Sequence, residues 1–167
     1  MKKKYKDYIQ YGLIIFTVIF IRLFIVGVVN VQGESMYPTL NESHDKVILE
    51  RYKQFSEEYT RGDIVVIKLK DKHIIKRIIG LPNETIEIRD SKIYINNEVL
   101  EEDYISDIIK TSPDMQINIP IDSVFVLGDN RENSADSRQL GPINMDKLEG
   151  KAAYRFSIRN LLFNKLK

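Results

Sequence analysis

The longest apolar run of the chain lies close to its N-terminus, from Tyr8 to Val29. Only Gln10, Thr17 and Arg22 interrupt it. At about 1.5 Å per residue, a helix over this run spans roughly 33 Å, close to the ~30 Å hydrocarbon core of a membrane. We therefore predict a transmembrane anchor over residues 8–29.

A basic segment, residues 1–7, precedes the apolar run and carries four lysines. This charge bias predicts a single-pass protein of the cell membrane with a cytoplasmic N-terminus and an extracytoplasmic domain over residues 30–167. A cleaved signal peptide also has a basic head and an apolar core. We disfavour it because the run is too long and no small-x-small cleavage site follows it.

Beyond residue 30 the pattern changes to short apolar or alternating runs separated by polar turns. The runs are 46–50, 64–67, 73–79, 85–89, 92–95, 123–127 and 151–158. Short strands at close spacing favour an antiparallel, barrel-like sheet. The predicted fold class is thus mainly β after an N-terminal transmembrane helix. Residues 52–59 are predicted to be a short helix or loop, and the acidic residues 101–118 an irregular surface excursion.

Composition excludes several kinds of function. The formal net charge is +1, which argues against a nucleic-acid partner because such domains usually carry a basic excess. The chain has no cysteine, so disulfides and thiolate metal sites are impossible. With only two histidines, His44 and His73, we predict neither a metal nor a cofactor.

A serine stands on a turn directly after the apolar run. Gly33 loosens the chain two residues before Ser35, and Pro38 prevents a helix from continuing through the segment. Such a hydroxyl is a weak nucleophile until a neighbouring base removes its proton. The sequence must therefore supply a base if Ser35 is catalytic.

Three residues are candidates for that base. His44 lies in a polar turn and His73 at the start of a strand, contexts typical of solvated or structural side chains. Lys76 shares a strand face with Ile74 and Ile78, because strand side chains alternate with a period of two. Burial there lowers a lysine pKa and makes the neutral amine a base. The alternative is a lysine on an edge strand whose amine extends to solvent.

A dense polar segment, residues 128–138, follows the apolar strand 123–127 and contains both charge signs. A solvated loop explains this composition. A loop that supports a catalytic site explains the composition as well. It also accounts for the occurrence of this segment in a chain that carries a candidate nucleophile and a candidate base.

Together these segments resemble bacterial type I signal peptidase, in the short form of Gram-positive bacteria. The resemblance covers nearly the whole chain, from the N-terminal anchor onward. Its blocks, in the order of the family, are GESMYPTL at 33–40, RGDIVV at 61–66, IKRIIGLP at 75–82, and GDNR through SADSR at 128–138.

The resemblance implies a serine endopeptidase with a Ser-Lys dyad. Ser35 matches the nucleophile of the family, Lys76 its general base, and Ser134 the serine whose hydroxyl orients the lysine amine. Two charged pairs match residues that hold the site together, namely Arg77 with Asp129 and Asp136 with Arg138. Asn130 and Arg131 are expected to shape the turn.

Gly33 departs from the pattern of many Gram-negative members, which have a serine there that assists the oxyanion hole. The Ser35 backbone N–H remains a donor, and a second donor must come from elsewhere. Losing one such donor costs about 3 kcal/mol. The excursion 101–118 is also short beside the second domain of Gram-negative members, so we expect no second folded domain.

The resemblance further implies the substrate and the partners. These are signal peptides of secreted preproteins, cut after small residues, with the lipid bilayer and possible contact with the secretion translocon. The substrate is expected to bind as an extended strand through β-augmentation. The pocket residues implied are Val29, Val31, Leu40, Val47, Ile74 and Ile75, each of which is equally compatible with a place in the core.

Two other functions are compatible with these segments. A LexA-like protein also uses a Ser-Lys pair, but it cuts its own chain and usually carries a DNA-binding domain instead of this anchor. A catalytically inactive tethered binding homologue is the second alternative. The presence of Ser35, Lys76 and Ser134 argues against it.

Overall fold

A computed structural model describes residues 2–41, 45–52, 59–70, 72–106, 109–157 and 162–166. His44 and most of the segment predicted as a short helix or loop, 52–59, lie outside these ranges. So does Ile158, the last residue of the final predicted strand.

The chain begins with a helix, α1 (Lys2–Phe20), which continues as a π-helical segment over Ile21–Ile25. Strand β1 (Val26–Asn30) follows directly. The helix therefore ends four residues before the predicted end of the anchor, because β-branched residues in Val26–Asn30 pair with a neighbouring strand instead. None of the helices in the described ranges is both long enough and apolar enough to cross a membrane.

The remainder of the described chain is mainly β, as predicted. The strands after β1 are β2 (Asp45–Glu50), β3 (Ile64–Lys68), β4 (His73–Gly80), β5 (Thr85–Arg89), β6 (Lys92–Ile95), β7 (Glu98–Val99), β8 (Met115–Asn118), β9 (Ser123–Leu127), β10 (Ile143–Asn144), β11 (Leu148–Ser157) and β12 (Leu162–Lys165). A short helix, α2 (Ser137–Leu140), lies between β9 and β10.

The larger sheet is antiparallel throughout and has the order β1-β2-β11-β3-β4-β9-β10, with β12 paired to β11. Four antiparallel steps separate β1 from β4, so these two strands run in the same direction. Residues of both strands line one groove, which shows that the sheet curls. This curl brings the segment after β1 close to β4.

The smaller sheet has the order β7-β6-β5-β8 and shares a core with the larger one. Ile86 and Ile93 of the smaller sheet pack with Phe125 and Leu127 of β9. The sequence predicted irregular structure up to residue 118, whereas Met115–Asn118 pair with β5. The reason is the alternation of side chains in this segment, which lets Ile117 pack on the shared core while Gln116 remains exposed.

Candidate active site

Ser35 lies on a tight turn, and neighbouring side chains of this turn pack into the core. Gly33 adopts a positive φ of 77°, a conformation that favours glycine. The N–H of Tyr37 donates to the Glu34 carbonyl at 3.0 Å, and Met36 and Leu40 are buried below the turn. The backbone around Ser35 is thus fixed by packing, while its side chain remains only half-buried.

Lys76 meets Ser35 from strand β4. Its Nζ lies 2.6 Å from Ser35 Oγ and also donates to the Ile75 carbonyl at 3.0 Å. Lys76 is only 3% exposed and pairs across the strands with Val65, which belongs to the same core as Ile74 and Ile78. The alternative of a lysine that extends to solvent is therefore wrong.

Burial is the main cause of an altered Lys76 pKa. It lowers the pKa to about 8, because the ammonium loses its hydration. Asp136 and Asp129 oppose this effect, while the positive charges of Lys72 and Arg138 add to it. The amine consequently titrates close to neutral pH, where its neutral form can accept a proton.

Arg77, the residue after Lys76, forms the first predicted charged pair with Asp129. Its Nε and Nη2 donate to the two carboxylate oxygens at 2.9 and 2.8 Å, and both side chains are almost fully buried. Thr39, on the same turn as Ser35, donates to Asp129 at 2.6 Å. The pair thus connects the strand of Lys76 to the turn of Ser35.

The second predicted pair, Asp136 with Arg138, holds the polar loop in place. Arg138 donates to both carboxylate oxygens at 2.9 Å. Asp136 also caps α2 and accepts the Gly128 N–H at 3.1 Å. Burial by itself raises an aspartate pKa, but these hydrogen bonds outweigh it and lower the Asp136 pKa, so this buried group is charged.

Gly128 lets the polar loop approach the turn of Ser35 closely. A Cβ at this position would lie 2.3 Å from Ser134 Oγ and 2.4 Å from the Ser35 carbonyl oxygen. Asn130 of the same loop makes two hydrogen bonds to this turn. Its backbone N–H donates to the Ser35 carbonyl at 3.1 Å, and its Nδ2 donates to the Glu34 carbonyl at 3.2 Å. A side chain at position 128 would separate the two segments.

Ser134 lies beside Gly128, but its expected hydrogen bond to Lys76 is not formed. The Ser134 hydroxyl is buried and has no partner of acceptable geometry among the described residues. It does lie close enough to Asp136 to contribute to the lowered pKa of that carboxyl group. In this conformation the Lys76 amine contacts Ser35 and the Ile75 carbonyl instead.

Sequence reasoning missed the contacts that the excursion makes with the site. Arg131, which was expected only to shape the turn, donates to the Gly128 carbonyl at 3.0 Å and forms a buried pair with Glu102. The ring of Tyr104 lies 3.9 Å from the guanidinium of Arg77. In the sequence, only the acidic character of the excursion 101–118 indicated that it contacts positively charged side chains.

The predicted pocket residues do not form a single surface. Val31, Leu40 and Val47 are buried together in the core below Ser35, and Ile75 packs against them. Ile74 packs on a different core, since adjacent residues of a strand face opposite sides. Val29 and Ile75 line a groove of about 690 Å³ between β1 and β4.

His73, which lies within the described ranges, makes no contact with Ser35 there. His73 is half-exposed and its Nε2 lies 3.1 Å from a Glu149 carboxylate oxygen. Ser35 instead has the Lys76 amine as its side-chain partner. Its own backbone N–H has no acceptor within the described part of the chain, so this donor is available to a ligand.

Comparison with known proteins gives consistent matches. A family model described as signal peptidase, peptidase S26, matches residues 5–157. Signal peptidase I P of Bacillus subtilis subsp. natto is 36% identical over 157 residues, which cover 86% of this chain and 84% of that protein. Signal peptidase I S of Bacillus subtilis (strain 168) is 37% identical over 147 residues, which cover 81% and 79%.

A solved structure of a signal peptidase I from Enterococcus faecalis V583 is also similar. It is 33% identical in sequence with a TM-score of 0.50, and the match covers 56% of this chain and 96% of that one. Its fold agrees with the curled antiparallel sheet described above. The length and identity of these matches show that the chain belongs to the signal peptidase family, peptidase S26, and is a serine peptidase.

Proposed function

We propose that this protein is a membrane-anchored endopeptidase that removes N-terminal signal peptides from secreted preproteins after small residues, using Ser35 and Lys76. The observation that carries the proposal is the 2.6 Å contact between Ser35 Oγ and the Nζ of Lys76, a residue that is only 3% exposed. A buried amine beside a serine hydroxyl is a base that is poised to activate it.

Acylation begins when the neutral Lys76 amine takes the Ser35 proton. Ser35 Oγ then bonds to the scissile carbonyl carbon, and the Ser35 N–H stabilises the resulting oxyanion. The carbon–nitrogen bond breaks, and the Lys76 ammonium gives its proton to the leaving amine. An ester then joins the signal peptide to Ser35. Lys76 next takes a proton from a water molecule, whose oxygen bonds to the carbonyl carbon of this ester. The bond from that carbon to Ser35 Oγ breaks, the Lys76 ammonium returns its proton to Oγ, and the signal peptide leaves with a carboxylate end.

The other residues of the site position these two. Ser134 orients the Lys76 amine during the reaction, from its buried place beside Gly128. The Arg77–Asp129 pair fixes β4 against the Ser35 turn, and the Asp136–Arg138 pair fixes the loop that carries Ser134. The roles of the two charged pairs are supported by hydrogen bonds from Thr39 to Asp129 and from Gly128 to Asp136. The role of Ser134 rests on the resemblance to the family, because its hydroxyl has no hydrogen-bond partner among the described residues. Preorganisation of this kind contributes through proximity.

The substrate binds in the groove between β1 and β4. In the described chain β1 pairs only with β2, and β9 covers β4 only from Arg77 onward, so both strands have free hydrogen-bonding edges facing the groove. An extended peptide can pair with either edge. Val29 and Ile75 line the groove and favour small apolar side chains next to the scissile bond.

The apolar helix anchors the enzyme in the lipid bilayer. Large apolar side chains from Tyr8 to Ile25 are exposed on it, and apolar surface of this extent is typical of a membrane or protein contact. The groove begins at β1, directly after this helix, so membrane insertion brings the site to the outer surface, where a translocated signal peptide ends. The extracytoplasmic orientation rests on the basic residues 1–7.

Three variants test the dyad. We expect Ser35→Ala and Lys76→Ala to lose more than about 10³-fold in the rate of preprotein cleavage, because each removes a reacting group. His73→Ala tests the Ser-His alternative on the same strand. Because His73 lines the groove but does not contact Ser35, we expect kcat to stay within about twofold of the wild type. Cleavage is measured on a model preprotein by gel and mass spectrometry.

Several results would contradict the proposal. Retained cleavage by Ser35→Ala or Lys76→Ala would remove the dyad, and a loss confined to His73→Ala would indicate a Ser-His enzyme. Self-cleavage of the chain without preprotein cleavage would favour the LexA-like alternative. Failure of the wild type to react with a serine-directed acylating reagent would favour an inactive binding homologue.

A further inference from the structure

The end of the groove that lies away from Ser35 is lined by positive charges. Arg51, Lys68 and Lys72 line it together with β1 and the first residues of β4. The described lining contains one acidic residue, Glu149, whose carboxylate lies 3.1 Å from His73. Three cations thus accompany one carboxylate among these residues, so the described lining carries a net positive charge.

None of these three cations pairs with a carboxylate within the described part of the chain. Lys68 and Lys72 are exposed, and the Arg51 Nε is buried without a hydrogen-bond partner among the described residues. Adjacent like charges repel each other, and a concave surface concentrates their field. The binding of an anion relieves this repulsion.

We take the substrate to pair in parallel with β1 and β4, which run in the same direction. The residues upstream of the scissile bond then extend from Lys76 back towards Lys72. Four residues of extended chain cover about 13 Å. A side chain about four to six residues before the scissile bond thus lies beside Lys72 and Lys68.

Lys72 also acts on the catalytic lysine over this distance. Its positive charge contributes to the lowered pKa of Lys76. An anion bound at Lys72 therefore acts electrostatically on the dyad as well as on substrate binding.

We propose that Arg51, Lys68 and Lys72 form a subsite for an acidic side chain of the preprotein, four to six residues before the scissile bond. The proposal rests on the proposed function, and it adds a specificity determinant upstream of the small residues. The continuity of the groove with the dyad favours a peptide carboxylate over a lipid phosphate as the occupant.

The test uses the full-length enzyme in detergent and a set of peptides with one cleavage site. In each peptide, either Glu or Gln occupies position four, five or six before the cut. The ratio of kcat/KM for Glu over Gln is measured for the wild type, Lys72→Gln, Lys68→Gln and the double variant. Lys92→Gln, which replaces an exposed lysine on the smaller sheet, is the matched control. Because each ratio compares two peptides on one enzyme, a general loss of activity cancels.

We expect the wild type and Lys92→Gln to prefer Glu about threefold to fivefold at one of these positions, the size of a partly exposed ion pair. The preference should fall below about 1.5-fold in the double variant and weaken at high salt.

Equal rates for Glu and Gln at all three positions would overturn the subsite, as would a preference that survives the double substitution. Loss of binding to phosphatidylglycerol vesicles in the double variant, without a change in the peptide ratio, would instead assign the cations to a lipid phosphate. Failure of the wild type to cut even the Gln peptides would contradict the proposed function itself.

Discussion

Lys76 is the residue on which the proposed chemistry depends, because it must lose its proton before Ser35 can react. Its amine is buried among apolar side chains yet lies within 2.6 Å of Ser35 Oγ. The same burial that lowers the pKa of this amine also destabilises the folded protein at pH values where the amine is charged. Both consequences of the lowered pKa can be measured.

The first is the pH dependence of acylation. Since the Lys76 pKa is lowered to about 8, only about one amine in ten is neutral at pH 7. The acylation rate should therefore rise with pH, about tenfold per unit below pH 8, and level off above about pH 9. Rapid-mixing measurements with an acylating substrate between pH 6 and 10 would show this rise. A flat rate over that range would contradict a neutral-lysine base.

The second is the dependence of stability on pH. Lys76 titrates at about 8 in the folded state against 10.5 in the unfolded state, so the unfolded chain binds more protons between these values. Stability from this group thus rises with pH between 8 and 10.5, and at pH 7 the buried lysine costs about 3 kcal/mol.

We expect Lys76→Met to raise the free energy of unfolding at pH 7 by about 1–3 kcal/mol. The gain should shrink as the pH rises towards 10.5 and disappear above it, where the wild-type amine becomes neutral in both states. Urea unfolding of the two proteins at both pH values provides the measurement. The difference between variant and wild type isolates Lys76 from the other titrating groups, and an equal difference at both pH values would argue against its lowered pKa.

At the scale of elements, the excursion 101–118 supports the polar loop 128–138 through side-chain contacts. Its Glu102 binds Arg131 through both carboxylate oxygens, at 2.6 and 3.0 Å, and Tyr104 also donates to Glu102. Arg131 in turn contacts the Gly128 carbonyl. A segment that is acidic and irregular in sequence therefore fixes the loop that touches the Ser35 backbone.

The contact between Glu102 and Arg131 predicts a kinetic effect for Glu102→Gln. The substitution weakens a pair whose arginine side chain is fully buried, so the Gly128 loop loses part of its support. We expect kcat to fall about tenfold with KM unchanged, because the groove between β1 and β4 is not altered. Rates are corrected for the active fraction by titration with an acylating reagent.

Glu101→Gln is the matched control for this prediction, since Glu101 is the exposed neighbour of Glu102. It should keep the wild-type kcat. An equal effect of the two substitutions would show that the charge of the excursion matters rather than its contact with Arg131. A change in KM alone would move the role of Glu102 from positioning to substrate binding.

At the scale of the whole molecule, the helix and the curled sheet are directly connected. The Arg51 N–H donates to the Ile25 carbonyl at 2.9 Å, which fixes the end of the helix to the segment after β2. The groove thus starts where the helix ends. Anchoring the helix in a membrane would set the height of the groove above the lipid.

Charged substitutions on the helix test the anchor. Ile15 and Ile19 are exposed, and a lysine at the centre of a membrane span costs about 3 kcal/mol. We expect the combination of Ile15→Lys and Ile19→Lys to release the protein from membranes during carbonate extraction. Ile121→Lys, at a position 74% exposed on the body, is the control and should remain in the membrane fraction. Retention of the helix variant would argue against membrane insertion.

Local patterns in the sequence were sufficient for several parts of the structure. The apolar run predicted the helix, although not its end at Ile25, and short apolar or alternating runs predicted strands of both sheets. The placement of Lys76 between Ile74 and Ile78 was compatible with burial and with an amine that extends to solvent, and the structure shows that the residue is buried. These predictions depend only on where neighbouring side chains point, a property of the local backbone.

Only the tertiary structure decided which of these parts meet. Ser35 and Lys76 lie 41 positions apart, Glu102 and Arg131 lie 29 apart, and Thr39 and Asp129 lie 90 apart. Their contacts depend on strand order and on the curl of the sheet, which arise from packing over the whole core and leave no short-range pattern. For the same reason the sequence left Leu40 and Val47 compatible with either a pocket or the core, and the fold buries them below Ser35. The sequence by itself determined the kinds of element and the candidate nucleophile and base, and the long-range packing of the sheet decided their distances, their partners and the shape of the groove.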